Sequence, residues 1–177
     1  MYYGKKVMLR ELRESDLPDI MEYVNDYETY STFTDSAPRP KTEEFQKCWM
    51  AGSTREDMLT FAIADKETGE FAGTIQLRDI NRRARRSLFS IVLKPDAQGR
   101  GYGTDALRVL LRFAFQELNL HKITLVVYAG NEGGRRLYEK VGFQYEGTLR
   151  EQVYRQGHYH DQLVYSMLAS EFGGDHA

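Results

Sequence analysis

The stretch "SIVLKPDAQGRGYGTDALRVLLRFAFQEL" constrains this chain more than any other. An apolar run reads as a strand and "QGRGYG" then places glycines at Gly99, Gly101 and Gly103. Leu107, Leu110, Leu111, Ala114, Phe115 and Leu118 follow at spacings of three and four, which predicts a helix with one buried face. Three glycines at alternate positions at a strand-to-helix junction are entropically costly and need a reason. The first helical turn offers unpaired N–H groups and the positive end of the helix dipole, and bare glycine backbone lets an anion approach them. A pyrophosphate cradle is one reading, with Arg100 as an added donor. A turn that merely reverses the chain is the other. A Walker loop requires Gly-Lys-Ser/Thr where this chain has "GYGT". A dinucleotide fingerprint belongs on a first strand, whereas these glycines lie mid-chain after an antiparallel-looking meander.

The remaining pattern supplies that meander. "KVMLREL" predicts a first strand, and "ESDLPDIMEYVNDYE" a helix with Ser15 or Asp16 as N-cap and Pro18 in its first turn. "KTEEFQKCWMAG" predicts a second short helix stopped by Gly52. "MLTFAIAD", "KETGE" and "FAGTIQLRDI" predict two strands and a tight turn, and "RSLFSIVL" another strand after the basic run "NRRARR". "KITLVVY" is apolar enough to be covered on both faces. Asn131 is placed to cap "EGGRRLYEKV", a helix ended by Gly142, and "FQYEGTLREQVYR" with "YHDQLVYSMLAS" forms a closing antiparallel pair. The order βααβββ-loop-αβαββ implies an α/β (α+β) fold, a mixed sheet with helices packed on it. One domain over 1–170 and a frayed tail over 171–177 are expected.

Bulk properties bound the function. A chain of 177 residues with net charge −2 exerts no global attraction on nucleic acid or anionic membrane. Its single cysteine, Cys48, rules out an internal disulfide framework and reads as a small buried residue beside Trp49. No apolar run reaches the length of a membrane span, and the N-terminus lacks a signal-peptide core, so a cytoplasmic location is expected. "NRRARR" reads as a solvated turn first and as recognition of an acidic acceptor second. His158 and His160 share a strand face without further ligands to complete a metal site. His121 reads as a residue at a helix C-terminus.

Three blocks in order carry a resemblance. "Q-x-x-G-x-G" at Gln98 to Gly103 after Pro95, Asn131 with "RRLYEKVGF", and the ending "EGTLREQVYRQGHYHDQLVYSML" resemble the Gcn5-related N-acetyltransferases (GNAT), in their RimJ/RimL-type branch. The resemblance implies a mostly antiparallel sheet with a splayed parallel strand pair at an acetyl-CoA site. The cofactor's arm would lie along Ile91, Val92 and Leu93, with the Leu93 N–H as oxyanion donor. Backbone N–H groups of Gln98, Gly99, Arg100, Gly101, Tyr102, Gly103 and Thr104 would hold the pyrophosphate, with Asn131, Arg135 and Arg136 adding contacts. Tyr138 occupies the family's general-acid position, and a phenol keeps its proton at neutral pH. No metal is implied.

Two positions depart from that pattern. Leu88 stands where many relatives carry a glutamate base, which leaves Asp79 as a weak replacement or an amine arriving already neutral. Gly134 stands where a serine is common. The acceptor pocket is expected from Glu28, Tyr30, Phe33 and Asp35, an aromatic and mildly acidic lining suited to a peptide N-terminus, a polyamine or another small amine. Homodimers are common in similar proteins. A non-catalytic acetyl-CoA sensor and a nucleotide-binding protein are the rival readings.

Overall fold

The computed structural model describes residues 1–34 and 36–173. Strands β1 (Tyr2–Tyr3), β2 (Val7–Arg10), β3 (Thr54–Arg55), β4 (Met58–Asp65), β5 (Phe71–Asn81), β6 (Arg86–Leu93), β7 (Lys122–Tyr128), β8 (Gln144–Arg155) and β9 (His158–Leu168) form one sheet. Its order is β1-β2-β4-β5-β6-β7-β9-β8, with β3 beside β4. Neighbours pair antiparallel except β6 and β7, which run parallel. The expected mixed, mostly antiparallel sheet is therefore present. Helices α1 (Leu17–Asn25), α2 (Tyr27–Phe33) and α3 (Glu43–Ala51) cover one face, and α4 (Tyr102–Arg112) and α5 (Glu132–Val141) the other.

Side-chain alternation along β6 sorts the two cores. Phe89 packs with the α4 and α5 residues Leu107, Leu110 and Tyr138, whereas Val92 packs with Ile20, Tyr23 and Val24 of α1. Along β7, Ile123, Leu125 and Val127 are buried, but Val126 is 39% exposed. The expectation of a strand covered on both faces therefore holds for one face only. The α1–α3 layer stops short of β7, and that side of the sheet is open.

The helix expected across "ESDLPDIMEYVNDYE" is two helices. Asp26 leaves the helical region at ψ 115°, and its carboxylate accepts the Thr29 N–H at 2.7 Å, so it caps a new helix instead of continuing the old one. Asp16 does not cap α1 with its side chain. It accepts both Arg10 guanidinium ends at 2.8 Å and the Arg13 N–H at 2.9 Å, a buried pair that ties β2 to the start of α1. Cys48 is exposed rather than buried, because α3 turns Gln46 inward. Phe172, expected in a tail, packs against Phe115 with ring centres 5.5 Å apart.

"NRRARR" is the exposed turn between β5 and β6, in which Arg85 reaches the Asn119 carbonyl at 2.7 Å. A bulge in β5 between Arg78 and Asn81 puts Asp79 in a left-handed conformation at the solvated strand end.

Candidate active site

β6 and β7 pair only where Arg86, Ser87 and Leu88 meet Lys122, Ile123 and Thr124. Beyond Leu88 the two strands carry no pairing with each other, which leaves a bare edge on β6. The Lys94 N–H donates to the Ala72 carbonyl on β5 at 2.9 Å, and the register between β5 and β6 is unbroken from Gly73 to Arg78. Backbone groups alternate in direction along a strand. Val92 and Ser90 therefore bond toward β5, while the amides of Leu93, Ile91 and Phe89 turn toward the gap. The Gln98 side-chain amide donates to the Leu93 carbonyl at 3.3 Å and covers the mouth end of that edge.

The glycine loop lies at the mouth. From Gly99 through Thr104, no backbone N–H has an acceptor among the described residues, and Gly101 caps α4 without a side-chain bond. Gly99 and Gly101 adopt φ of 72° and 84°, a left-handed region that disfavours other residues. Gly103 serves packing instead. A Cβ there would lie 2.7 Å from Leu137 Cδ1 and 3.4 Å from Leu93 Cδ1, so the glycine lets α4 close on α5 and β6 together. Gly103→Ala is expected to destabilise the fold by about 1–3 kcal/mol through overpacking. A urea titration checks this, and an unchanged midpoint would show that Leu137 simply moves aside.

The loop is braced from behind. Lys6 Nζ donates to the Arg100 carbonyl at 2.8 Å. The Asp105 carboxylate accepts the N–H groups of Lys5, Lys6 and Val7 at 3.0, 2.7 and 3.0 Å, which occupies a negative charge that would otherwise oppose an anion at the helix start. The Arg100 guanidinium lies 4.6 Å from the Tyr102 ring centre, and the Tyr102 hydroxyl donates to Asp65. That bond, with the Thr68 and Glu67 amides, holds Asp65 at about 2, below the usual 3.8. A depressed carboxylate contributes stability above its unfolded value and loses it as pH falls through the folded one. In Tyr102→Phe the melting temperature should therefore drop relative to wild type above pH 4, and the difference should vanish toward pH 2. A difference that persisted at pH 2 would trace to packing rather than to Asp65.

On α5, the Asn131 side chain accepts the Gly134 N–H at 2.9 Å, the expected N-cap, and Gly142 ends the helix in the left-handed region. Tyr138 is 8% exposed, edge-on to Phe89 at 5.9 Å and to Phe143 at 6.2 Å. Burial pushes its phenol up to about 12. Arg135 is turned toward Tyr165, which raises its pKa further, and the Tyr165 hydroxyl donates to Glu139 at 2.9 Å. Arg136 pairs with Glu132 at the surface. Neither arginine reaches back to the glycine loop in these contacts.

The opposite face of the sheet carries a polar row. Ser90 Oγ donates to Gln76 Oε1 at 3.2 Å, and Gln76 Nε2 donates to Thr60 Oγ1 at 3.1 Å, across three adjacent strands. Leu88 is on the same face at the vertex, where it offers no base. Tyr30 and Phe33 pack together on α2 at 6.0 Å, Glu28 is exposed, and Asp35 lies outside the described residues. Across the gap, the Tyr128 hydroxyl meets His160 Nδ1 at 3.3 Å and the Arg155 guanidinium stacks on the Tyr128 ring at 4.9 Å. Arg155 also donates to the Thr34 carbonyl at 2.7 Å, which joins the β8–β9 hairpin to the end of α2. The Gln76–Ser90 row and Arg155 escaped the sequence reading, because cross-strand neighbours are set by register, which a single sequence does not display.

The acetyltransferase (GNAT) domain model matches residues 6–144. The chain belongs to the GNAT acetyltransferase family. The spermidine N-acetyltransferase of Vibrio cholerae, solved with CoA and spermine, superposes on this GNAT domain with a TM-score of 0.85 at 28% identity, covering 94% of this chain and 97% of that one. The Escherichia coli K12 spermidine N(1)-acetyltransferase is 33% identical over 108 residues, 61% of this chain and 58% of that protein. A putative ribosomal N-acetyltransferase of Bacillus subtilis is 33% identical over 107 residues, 60% of this chain and 58% of that protein. The aligned stretch thus spans little more than half of these two relatives. Among the described residues of the GNAT chain, no helix is long and apolar enough to cross a membrane.

Proposed function

We propose that the chain transfers the acetyl group of acetyl-CoA to a primary amine, with both substrates bound together. The observation that carries this reading is the unpartnered amide run from Gly99 to Thr104 at the head of a bare strand edge that leads to Tyr138. Such amides fit a diphosphate, and an edge with alternate N–H and C=O groups fits an arm of successive amides laid beside it as an added strand. Bound there, the cofactor supplies an acetyl thioester.

The residues divide the work. Loop amides and Arg100 bind the diphosphate, and the Phe89–Leu93 edge orients the arm. The thioester oxygen and sulfur belong to one group, so the donor to the oxygen must lie near the acid that serves the sulfur. Leu93, the donor expected from sequence, sits beside Gly103 and Gln98 at the mouth, about 13 Å of strand from Phe89, on which Tyr138 packs. The Ile91 N–H, deeper on the same edge, fits that role better than Leu93. The Tyr138 hydroxyl holds the proton that the sulfur takes on departure. Ser90 points its own proton at Gln76, which leaves its oxygen lone pairs free to accept an N–H of the incoming amine. Asp79 is set on a solvated bulge, and amine deprotonation falls to solvent or to the acceptor's own equilibrium.

A sensor that binds acetyl-CoA without turnover is the second reading, favoured by Leu88 at the vertex. Purified protein is mixed with acetyl-CoA and a panel of peptide N-termini, polyamines and amino acids, and free thiol is followed. Thiol release dependent on an amine supports transfer. Cofactor-induced thermal stabilisation with no release on any amine supports the sensor, and stabilisation by ATP or NAD in place of CoA overturns both.

A further inference from the structure

We infer that Gln76 is a positioning residue for the transfer, acting through Ser90 and held in its working orientation by Thr60; this rests on the transferase reading above. Register sets the three side chains in one line. Thr60 on β4 lies opposite Gln76 on β5, and Gln76 lies opposite Ser90 on β6. The next row on this face is Ala62, Thr74 and Val92, of which Ala62 and Val92 pack with α1. Thr74 shares a hydrogen bond with the Tyr23 hydroxyl at 3.2 Å and takes no part in the polar line. Thr60 and Gln76 are 4% and 7% exposed, and Ser90 is half-buried at the edge of the gap. Desolvating two polar side chains costs free energy that their mutual hydrogen bonds only offset. Apolar side chains would fill the same space, as Ala62 and Val92 do beside them. What the polar line adds is control of the hydroxyl at its open end.

A primary amide is directional: it donates through nitrogen and accepts through oxygen. Gln76 Nε2 donates to Thr60 Oγ1 at 3.1 Å, and Gln76 Oε1 accepts the Ser90 proton at 3.2 Å. The amide thus holds the Ser90 proton inward and leaves the Oγ lone pairs toward the gap. Turned over, it would put an N–H against Ser90 and send the serine proton out toward the amine. That proton would bond the amine's lone pair, the pair that must form the C–N bond. Thr60 opposes the reversal by accepting from Nε2.

During attack the nitrogen gains positive charge as its lone pair bonds to the thioester carbon. Its N–H then becomes a charged donor, and such hydrogen bonds are about twice as strong as neutral ones. As the C–S bond breaks, the sulfur takes the Tyr138 proton and the nitrogen gives one to solvent. The bond to Ser90 strengthens on the way to the transition state, so its loss falls on kcat more than on the acceptor KM.

The test is a double-mutant cycle read as kcat by thiol release, with spermidine and a short peptide bearing a free N-terminus as acceptors. Ser90→Ala and Gln76→Met are each expected to lower kcat about tenfold, the rate value of one ordinary hydrogen bond, with acetyl-CoA affinity unchanged. The double variant is expected to be no slower than Ser90→Ala alone, because Gln76 reaches the amine only through Ser90. Gln76→Glu, whose ionised carboxylate can only accept, keeps the serine proton inward and should hold kcat near wild type. Should Gln76→Met lower the melting temperature, Thr60→Val takes its place in the cycle. It is expected to lower kcat about threefold beside Ser90 and not at all in the Ser90→Ala background. Losses that multiply in the double variant, an effect confined to KM, or a Gln76→Glu variant as slow as Gln76→Met overturns the inference and leaves the transferase reading intact. No amine-dependent thiol release by the wild type, with acetyl-CoA still raising its melting temperature, removes the transferase reading and the inference with it.

Discussion

Tyr138→Phe will lower kcat by about a hundredfold or more, the range typical of a lost general acid, while acetyl-CoA affinity stays near wild type. The ring makes its contacts with Phe89 and Phe143 through carbon, so phenylalanine keeps the packing and removes only the hydroxyl. Fold stability should hardly change, which separates a chemical effect from a structural one. The pH profile carries a second signature. With the phenol pushed up to about 12 by burial, its proton is retained across the range in which acceptor amines become neutral. The rate should climb with pH through the amine's titration and show no decline near the ordinary phenol value of about 10. Wild-type turnover in the variant would remove Tyr138 from the reaction. A decline near pH 10 that vanished in the variant would show a phenol less buried than this one.

The second large effect is structural. Asp16→Asn should reduce unfolding free energy by about 3–5 kcal/mol, because it strands a buried guanidinium without its counter-charge. Arg10 and Asp16 are 4% and 3% exposed and meet through two bonds of 2.8 Å. Asparagine can accept one of those bonds but carries no charge. Urea unfolding measures the loss, and a change below about 1 kcal/mol would mean that water reaches the pair. Since this pair sets where α1 leaves β2, the variant should also weaken acceptor binding more than cofactor binding, read as a KM effect on the amine.

Local signals made the cofactor half legible. The glycine loop, the amphipathic α4, the Asn131 cap and the Gly142 stop each depend on residues close in sequence, and each sits where the pattern put it. What the glycines do was less visible. Gly99 and Gly101 are required by backbone conformation, but Gly103 is required by Leu137, a neighbour 34 positions away. The acceptor half depends on such distant pairs throughout. Asp26 looked like one polar residue in a longer helix, and its capping of Thr29 is decided by which of two competing hydrogen-bond arrangements the packed chain favours. Cys48 looked buried by type, and the phase of α3 turned it out. Arg155 finds Thr34 across 121 positions, a contact that only the folded sheet creates.

The unbroken register of β6 from Leu88 to Leu93 has a consequence for insertions and deletions. Between Leu88 and Leu93 each residue's parity assigns two things together: which face of the sheet its side chain takes and whether its amide meets β5 or the gap. Loss of one residue between Leu88 and Ile91 would turn Phe89's neighbours inside out and hand the free amides to the wrong strand. Point substitutions on the open face can retune the acceptor one side chain at a time. Changes of length in this one strand are forbidden, so diversification of such a site should proceed by substitution here and by length only in the α1–α3 segment and the β8–β9 hairpin.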